Sequence, residues 1–113
     1  MMDAETHDEL LARASHLPQI VASVLGAALC GQRVGEKLAV EYGAGGLRDT
    51  TRLAASSWEM WHDIFITNRE AIAAALKLYG ATFAEFQRMM EAGDSAGLEK
   101  IFNRGRQMRE QIR

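Results

Sequence analysis

Three stretches of the chain repeat apolar residues at alternating steps of three and four. Leu10, Ala14, Leu17, Val21, Val24 and Ala28 form the first. Ile72, Leu76, Tyr79, Phe83, Phe86 and Met90 form the second, and Leu98, Ile101, Gly105, Met108 and Ile112 the third. That spacing lays a single stripe along an α-helix, so the pattern predicts helices that bury these residues in a core. The longest apolar run, Leu17 to Gly31, is interrupted by Pro18, Gln19 and Ser23. A membrane span needs about 20 predominantly apolar residues, so this run reads as a buried helix.

Breaks and caps separate the pieces. Gly43-Ala44-Gly45-Gly46 ends a first helical region near Tyr42, and Asp49 or Thr50 can cap a short helix after it. Ser56 with Glu59, and Thr67 with Glu70, fit the capping-box spacing. Gly93-Asp94-Ser95 ends one helix and caps the next. Pro18 should kink the first region or mark a helix start, because it lacks an N–H and crowds the preceding turn. Ala22, Ser23, Gly26, Ala27, Ala28 and Gly31 make one helix dense in small residues. Such a helix permits close backbone approach, either to a partner subunit or within the chain.

Composition supports this picture. The single proline, with Ala, Leu, Glu, Met and Arg outweighing Val, Ile and Thr, favours helix throughout. The 113 residues fit one domain, 1–113. A net charge of −2 argues against a nucleic-acid partner, which would select a basic face. Cys30 is the lone cysteine, so no internal disulfide is possible. The expected compartment is a cytoplasmic, reducing one, with Cys30 as a small buried hydrophobe. The acidic N-terminal sequence does not resemble a secretory leader, so neither export nor a membrane partner is expected.

Few constellations carry chemistry. His7 and His16 stand nine residues apart, which at about 100° per residue puts them on opposite helix faces, and His62 is distant. No metal site is expected. The GAGG segment does not follow a hydrophobic strand, so it is not read as a phosphate loop. The informative segment is Gly45 to Trp61, with Arg48, Asp49 and Arg52 followed by Trp58 and Trp61. Asp49 and Arg52 are neighbours on a helix and can pair. An Arg held by an Asp is organised to grip a carboxylate in bidentate fashion. Spacing alone favours a plain solvated turn with a local ion pair, and tryptophans at this spacing are core residues more often than site residues.

Two segments resemble the helical domain of the prephenate dehydrogenase family. The first is His7-Asp8 followed by Ala14-Ser15-His16-Leu17-Pro18-Gln19; the second is Gly45 through Ala54, then Met60-Trp61 and Asn68. The resemblance covers nearly the whole chain in order. It implies an all-α bundle of about five helices, like the C-terminal domain of 6-phosphogluconate-dehydrogenase-like enzymes, that forms a homodimer. It implies an oxidoreductase of tyrosine biosynthesis that oxidatively decarboxylates prephenate to 4-hydroxyphenylpyruvate. NAD or NADP would be bound by a nucleotide-binding domain absent from this sequence, with no cofactor held by the fragment. The catalytic histidine would belong to that absent domain, so the fragment would carry no catalytic residue and be inactive alone.

Carried over position by position, Arg52 matches an arginine that binds a substrate carboxylate. Asp49 matches the acidic residue before it. His7 and His16 match histidines near the substrate cleft, and Trp61 matches a tryptophan reaching toward the partner subunit's site. Gln19 stands where many members have a second histidine, close to the substrate side chain. An amide cannot titrate as imidazole does, so prephenate and arogenate both stay open as substrate, as does the mode of feedback by tyrosine. Two other readings also stay open: a stand-alone helical interaction module, and a sensor of tyrosine-like acids.

Overall fold

The computed structural model describes residues 2–112. They form six α-helices and one short hairpin. The helices are α1 (Ala4–Leu11), α2 (Leu17–Leu29), α3 (Gly45–Thr51), α4 (Trp58–Thr67), α5 (Arg69–Ala92) and α6 (Ser95–Glu110). A π-helical turn, Ala12–His16, joins α1 to α2 without a break, so five helical rods result, as the sequence led us to expect. Two compact units divide the chain within α5, one up to Ala75 and the other from Leu76 onward.

The first unit begins at Asp3, whose carboxylate accepts the Thr6 N–H at 2.7 Å and caps α1. Pro18 lies in the first turn of α2. Its missing N–H leaves the preceding turn one donor short, and the chain widens there: the Leu17 N–H bonds the Ala12 carbonyl, five residues back. Pro18 thus acts as a helix start rather than a sharp kink. The wider turn also rotates the buried face. Ala12, His16, Gln19 and Ala22 point inward, while Leu10 and Val24 of the expected stripe are exposed. Ala12 packs with Ile72 and Ala75 of α5, flanked by Leu17, Ile20, Ile64, Phe65 and Ala71. Small side chains at this crossing let the helix backbones come close.

The first helical region ends at Leu29, not near Tyr42. Cys30 takes an extended conformation there and is exposed rather than buried. The chain then makes a hairpin missed by the sequence reading, β1 (Arg33–Val34) against β2 (Lys37–Leu38), with Val34 opposite Lys37. Gly35 adopts φ 63° at the first position of the two-residue turn, the conformation a type II′ turn requires. A 3₁₀ turn, Ala39–Tyr42, leads to α3.

Several expected caps are used otherwise. Asp49 and Thr50 lie inside α3, which starts at Gly45. Ser57, not Ser56, precedes α4, and the Ser56 hydroxyl donates to Gln19 instead. Thr67 closes α4 by bonding back to the Asp63 carbonyl, so it does not cap α5.

In the second unit, α6 turns back after Gly93. Asp94 accepts the Gly97 N–H at 3.0 Å, the expected cap. Gly97 is buried where a Cβ would crowd the Met89 sulfur and the Asp94 carboxylate, so a larger residue would displace those side chains and disturb the cap. The apolar stripe behind it is largely uncovered: Phe83 is 59% and Phe102 71% exposed, with Met90, Met108 and Ile112 also open. Among the described residues, no helix is long and apolar enough to cross a membrane.

Replacing Asp94 with Ala should cost about 1 kcal/mol of stability, the usual value of an N-cap. Asp94→Asn should retain most of it, as measured by denaturant unfolding followed by circular dichroism.

Candidate functional site

The polar groups buried in the first unit gather at two places along the α1–α2 rod. The first is His16, 8% exposed at the end of the π-helical turn. Asn68, in the break between α4 and α5, donates its amide N–H to the Asp8 carbonyl at 2.9 Å. Its same nitrogen lies 3.2 Å from His16 Nδ1. A carbonyl only accepts, so the Asn68 nitrogen must face Asp8, and its second N–H is then aimed at His16. His16 Nδ1 therefore accepts, and the ring proton resides on Nε2. Trp61 meets the imidazole edge to face at 5.8 Å and 86°. The Trp61 indole N–H is buried beside this ring without a hydrogen-bond partner.

The second place is Gln19, 5% exposed on α2. Its Nε2 donates to the Leu53 carbonyl at 2.8 Å and to the Ser23 hydroxyl at 3.3 Å. Its Oε1 accepts from the Ser56 hydroxyl at 3.2 Å. These bonds bind α2 to the 3₁₀ turn Arg52–Ala55, of which Arg52 is the first residue. Ala22 and Gly26 support the same contact, with Gly26 facing Ala54. The small-residue helix is thus spent partly inside the chain, while Ala27 and Ala28 stay exposed.

The remaining sequence candidates are more open. Arg52 and Asp49 are both exposed; the Arg52 backbone N–H donates to the Asp49 carbonyl, but among the described residues no ion pair or hydrogen bond joins their side chains. The short α3 ends at Thr51, and Arg52 opens the 3₁₀ turn that follows it. His7 is exposed on α1, 3.9 Å from the Asp8 carboxylate. A cavity of about 500 Å³ between α2 and α3 is lined by Gly26, Leu47, Arg48, Thr51 and Ala54, so Arg48 rather than Arg52 borders it. Asn68 and Ser56 were not singled out as site residues. Their signal was present, since both are polar residues at helix junctions opposite buried polar groups, but the partners lie 52 and 37 residues away.

Gly45 and Gly46 are the first turn of a seven-residue helix, and the strands are a two-residue hairpin pair rather than a strand–helix–strand unit.

Burial lowers the His16 pKa below its ordinary 6.5, and the Asp8 carboxylate opposes that shift. The folded chain therefore refuses a proton that the unfolded chain accepts. This contribution to stability is complete above about pH 6.5 and is lost as the pH falls from there toward the lowered folded value. Unfolding free energies measured at about pH 8 and about pH 5.5 should show the decline, and His16→Gln should flatten it.

Comparison with known proteins places this arrangement. Residues 3–104 match the family model described as prephenate dehydrogenase, dimerization domain. The cyclohexadienyl dehydrogenase of Zymomonas mobilis is 32% identical over 110 residues, covering 96% of this chain and 38% of that protein. The prephenate dehydrogenase of Lactococcus lactis is 28% identical over 97% of this chain and 31% of its own length. The crystal structure of prephenate dehydrogenase from A. aeolicus in complex with hydroxyphenyl propionate and NAD+ superposes with a TM-score of 0.88 and 28% identity, over 99% of this chain and 39% of that one. The chain thus spans well under half the length of the relatives it matches. With this helical fold and a family model matched over residues 3–104, the chain belongs to the prephenate dehydrogenase family as its dimerization domain.

Proposed function

We propose that this chain is the dimerisation and substrate-binding domain of a dehydrogenase that oxidatively decarboxylates prephenate to 4-hydroxyphenylpyruvate. The reading rests on one observation above all: the second unit leaves a continuous apolar stripe uncovered in a chain that matches a dimerization domain. Tyr79, Phe83, Phe86 and Met90 follow one another at steps of three and four along α5. Exposed apolar surface of this kind marks an interface. The occupant is a second copy of the domain, giving a homodimer.

In this reading a separate nucleotide-binding domain holds the nicotinamide dinucleotide, NAD or NADP, which accepts the hydride. The residues of this chain bind and orient the anionic ring acid. Arg52 is free of protein partners among the described residues, so its guanidinium is available for a bidentate bond to a substrate carboxylate. Asp49, one turn earlier, tempers the local charge. His16, neutral with its proton on Nε2, packs against the Trp61 ring on the same unit. His7 and Gln19 belong to the same α1–α2 rod. The relative crystallised with hydroxyphenyl propionate and NAD+ supports an aromatic acid as ligand class. Arogenate, which carries an amino acid side chain where prephenate has a keto acid, is the competing substrate.

Light scattering of the chain should give the mass of a dimer, and Phe83→Glu should shift it to monomer by placing a charge in the interface. A chain that stays monomeric at about 100 μM would remove the basis of the assignment. In the complete dehydrogenase, Arg52→Ala should weaken transition-state binding by about 2–4 kcal/mol while leaving the unfolding midpoint nearly unchanged. Steady-state kinetics with prephenate and with arogenate separate the two substrates, and unaltered kinetics in the variant would exclude the assigned role.

A further inference from the structure

We infer that Gln19 is a positioning residue for Arg52, acting through the backbone of the turn that Arg52 heads. The inference deepens the proposed function and rests on its assignment of Arg52 to a substrate carboxylate. The geometry is a closed ring of hydrogen bonds. Gln19 Nε2 donates to the Leu53 carbonyl at 2.8 Å, and the Ser56 N–H donates to the same oxygen at 3.1 Å. The Ser56 hydroxyl donates to Gln19 Oε1 at 3.2 Å, which completes the circuit. The second Nε2 proton goes to Ser23 Oγ at 3.3 Å. Both donors of the amide are therefore committed to protein, at a side chain that is 5% exposed.

The consequence falls on Arg52. Its side chain is exposed, and among the described residues nothing bonds it or pairs with it. The point from which it reaches the substrate is then set by its own backbone, in a 3₁₀ turn of four residues. Short 3₁₀ turns have poorer hydrogen-bond geometry than an α-helix. The Leu53 carbonyl, the residue after Arg52, is the point where this turn is anchored to α2. A displacement of about 1 Å in a substrate-gripping group is enough to impair binding substantially. The same ring explains why an amide suits position 19: one head group must donate to Leu53 and accept from Ser56 together.

The test uses the complete dehydrogenase with prephenate. Gln19→Glu keeps the shape and still accepts from Ser56, but an ionised carboxylate faces the Leu53 carbonyl with no proton to donate. KM should rise about tenfold at about pH 8, with kcat changed less than about twofold. As the pH falls, the buried carboxyl protonates and can donate to Leu53, so the KM ratio of variant to wild type should shrink. In an Arg52→Ala background, Gln19→Glu should add no further rise in KM. Should Gln19→Glu fail to fold, Ser56→Ala opens the ring at its weaker side and should give the same pattern at smaller size. If Arg52→Ala raises KM but the Gln19 effect is absent, or persists undiminished in that background, the positioning role is refuted while the function stands. If Arg52→Ala itself leaves KM unchanged, the functional reading fails and this inference goes with it.

Discussion

The contact between α2 and the turn Arg52–Ala55 is the constraint around which the first unit is arranged. On one side of it are Ala22 and Gly26, small enough to admit Ala54; on the other is the Gln19 amide, bonded to Leu53 and Ser56. A buried amide costs free energy unless its polar atoms find partners. Gln19 therefore fixes one register of the turn against α2, since a shift of one residue would strand its donors and the Leu53 carbonyl together. Ser56 is drawn into the same network and no longer serves as the cap of α4, a role that passes to the position of Ser57. Apolar packing alone would hold the two segments together without choosing between neighbouring registers.

The His16 cluster depends on that arrangement one step removed. Pro18 forces the wide turn Ala12–His16, and the wide turn carries His16 inward to Asn68 and Trp61. A backbone irregularity at a helix start thus becomes a buried imidazole with a defined tautomer. Asp8 takes part twice, its carbonyl orienting Asn68 and its carboxylate opposing the burial of the ring. Single π-helical turns of this type recur at functional positions in many proteins.

The second unit follows a different logic. Its helices are well formed, capped by Asp94 and brought close at Gly97, yet their apolar stripe faces outward. No side chain in the described chain is both large and fully buried. In the proposed homodimer this stripe is the surface that the second copy would cover, as in interfaces that resemble a domain core cut in half.

The sequence by itself determined the helical class, the helix that carries the stripe from Ile72 to Met90, the Asp94 cap and the family. Each of these depends on local spacing, on a short-range hydrogen bond or on a string of residue types in order. It also contained the Gly35 turn, although composition dominated by helix formers hid a hairpin of only two residues per strand. Tertiary structure alone decided which face of α1 and α2 is inside, because the extra residue in the turn before Pro18 rotates one stripe past another. It decided as well that Ser56 serves Gln19, that Cys30 lies at an exposed helix end, and that the side chains of Asp49 and Arg52 do not pair. Those outcomes depend on groups tens of residues apart meeting in space, and periodicity along a single chain does not encode where such partners are.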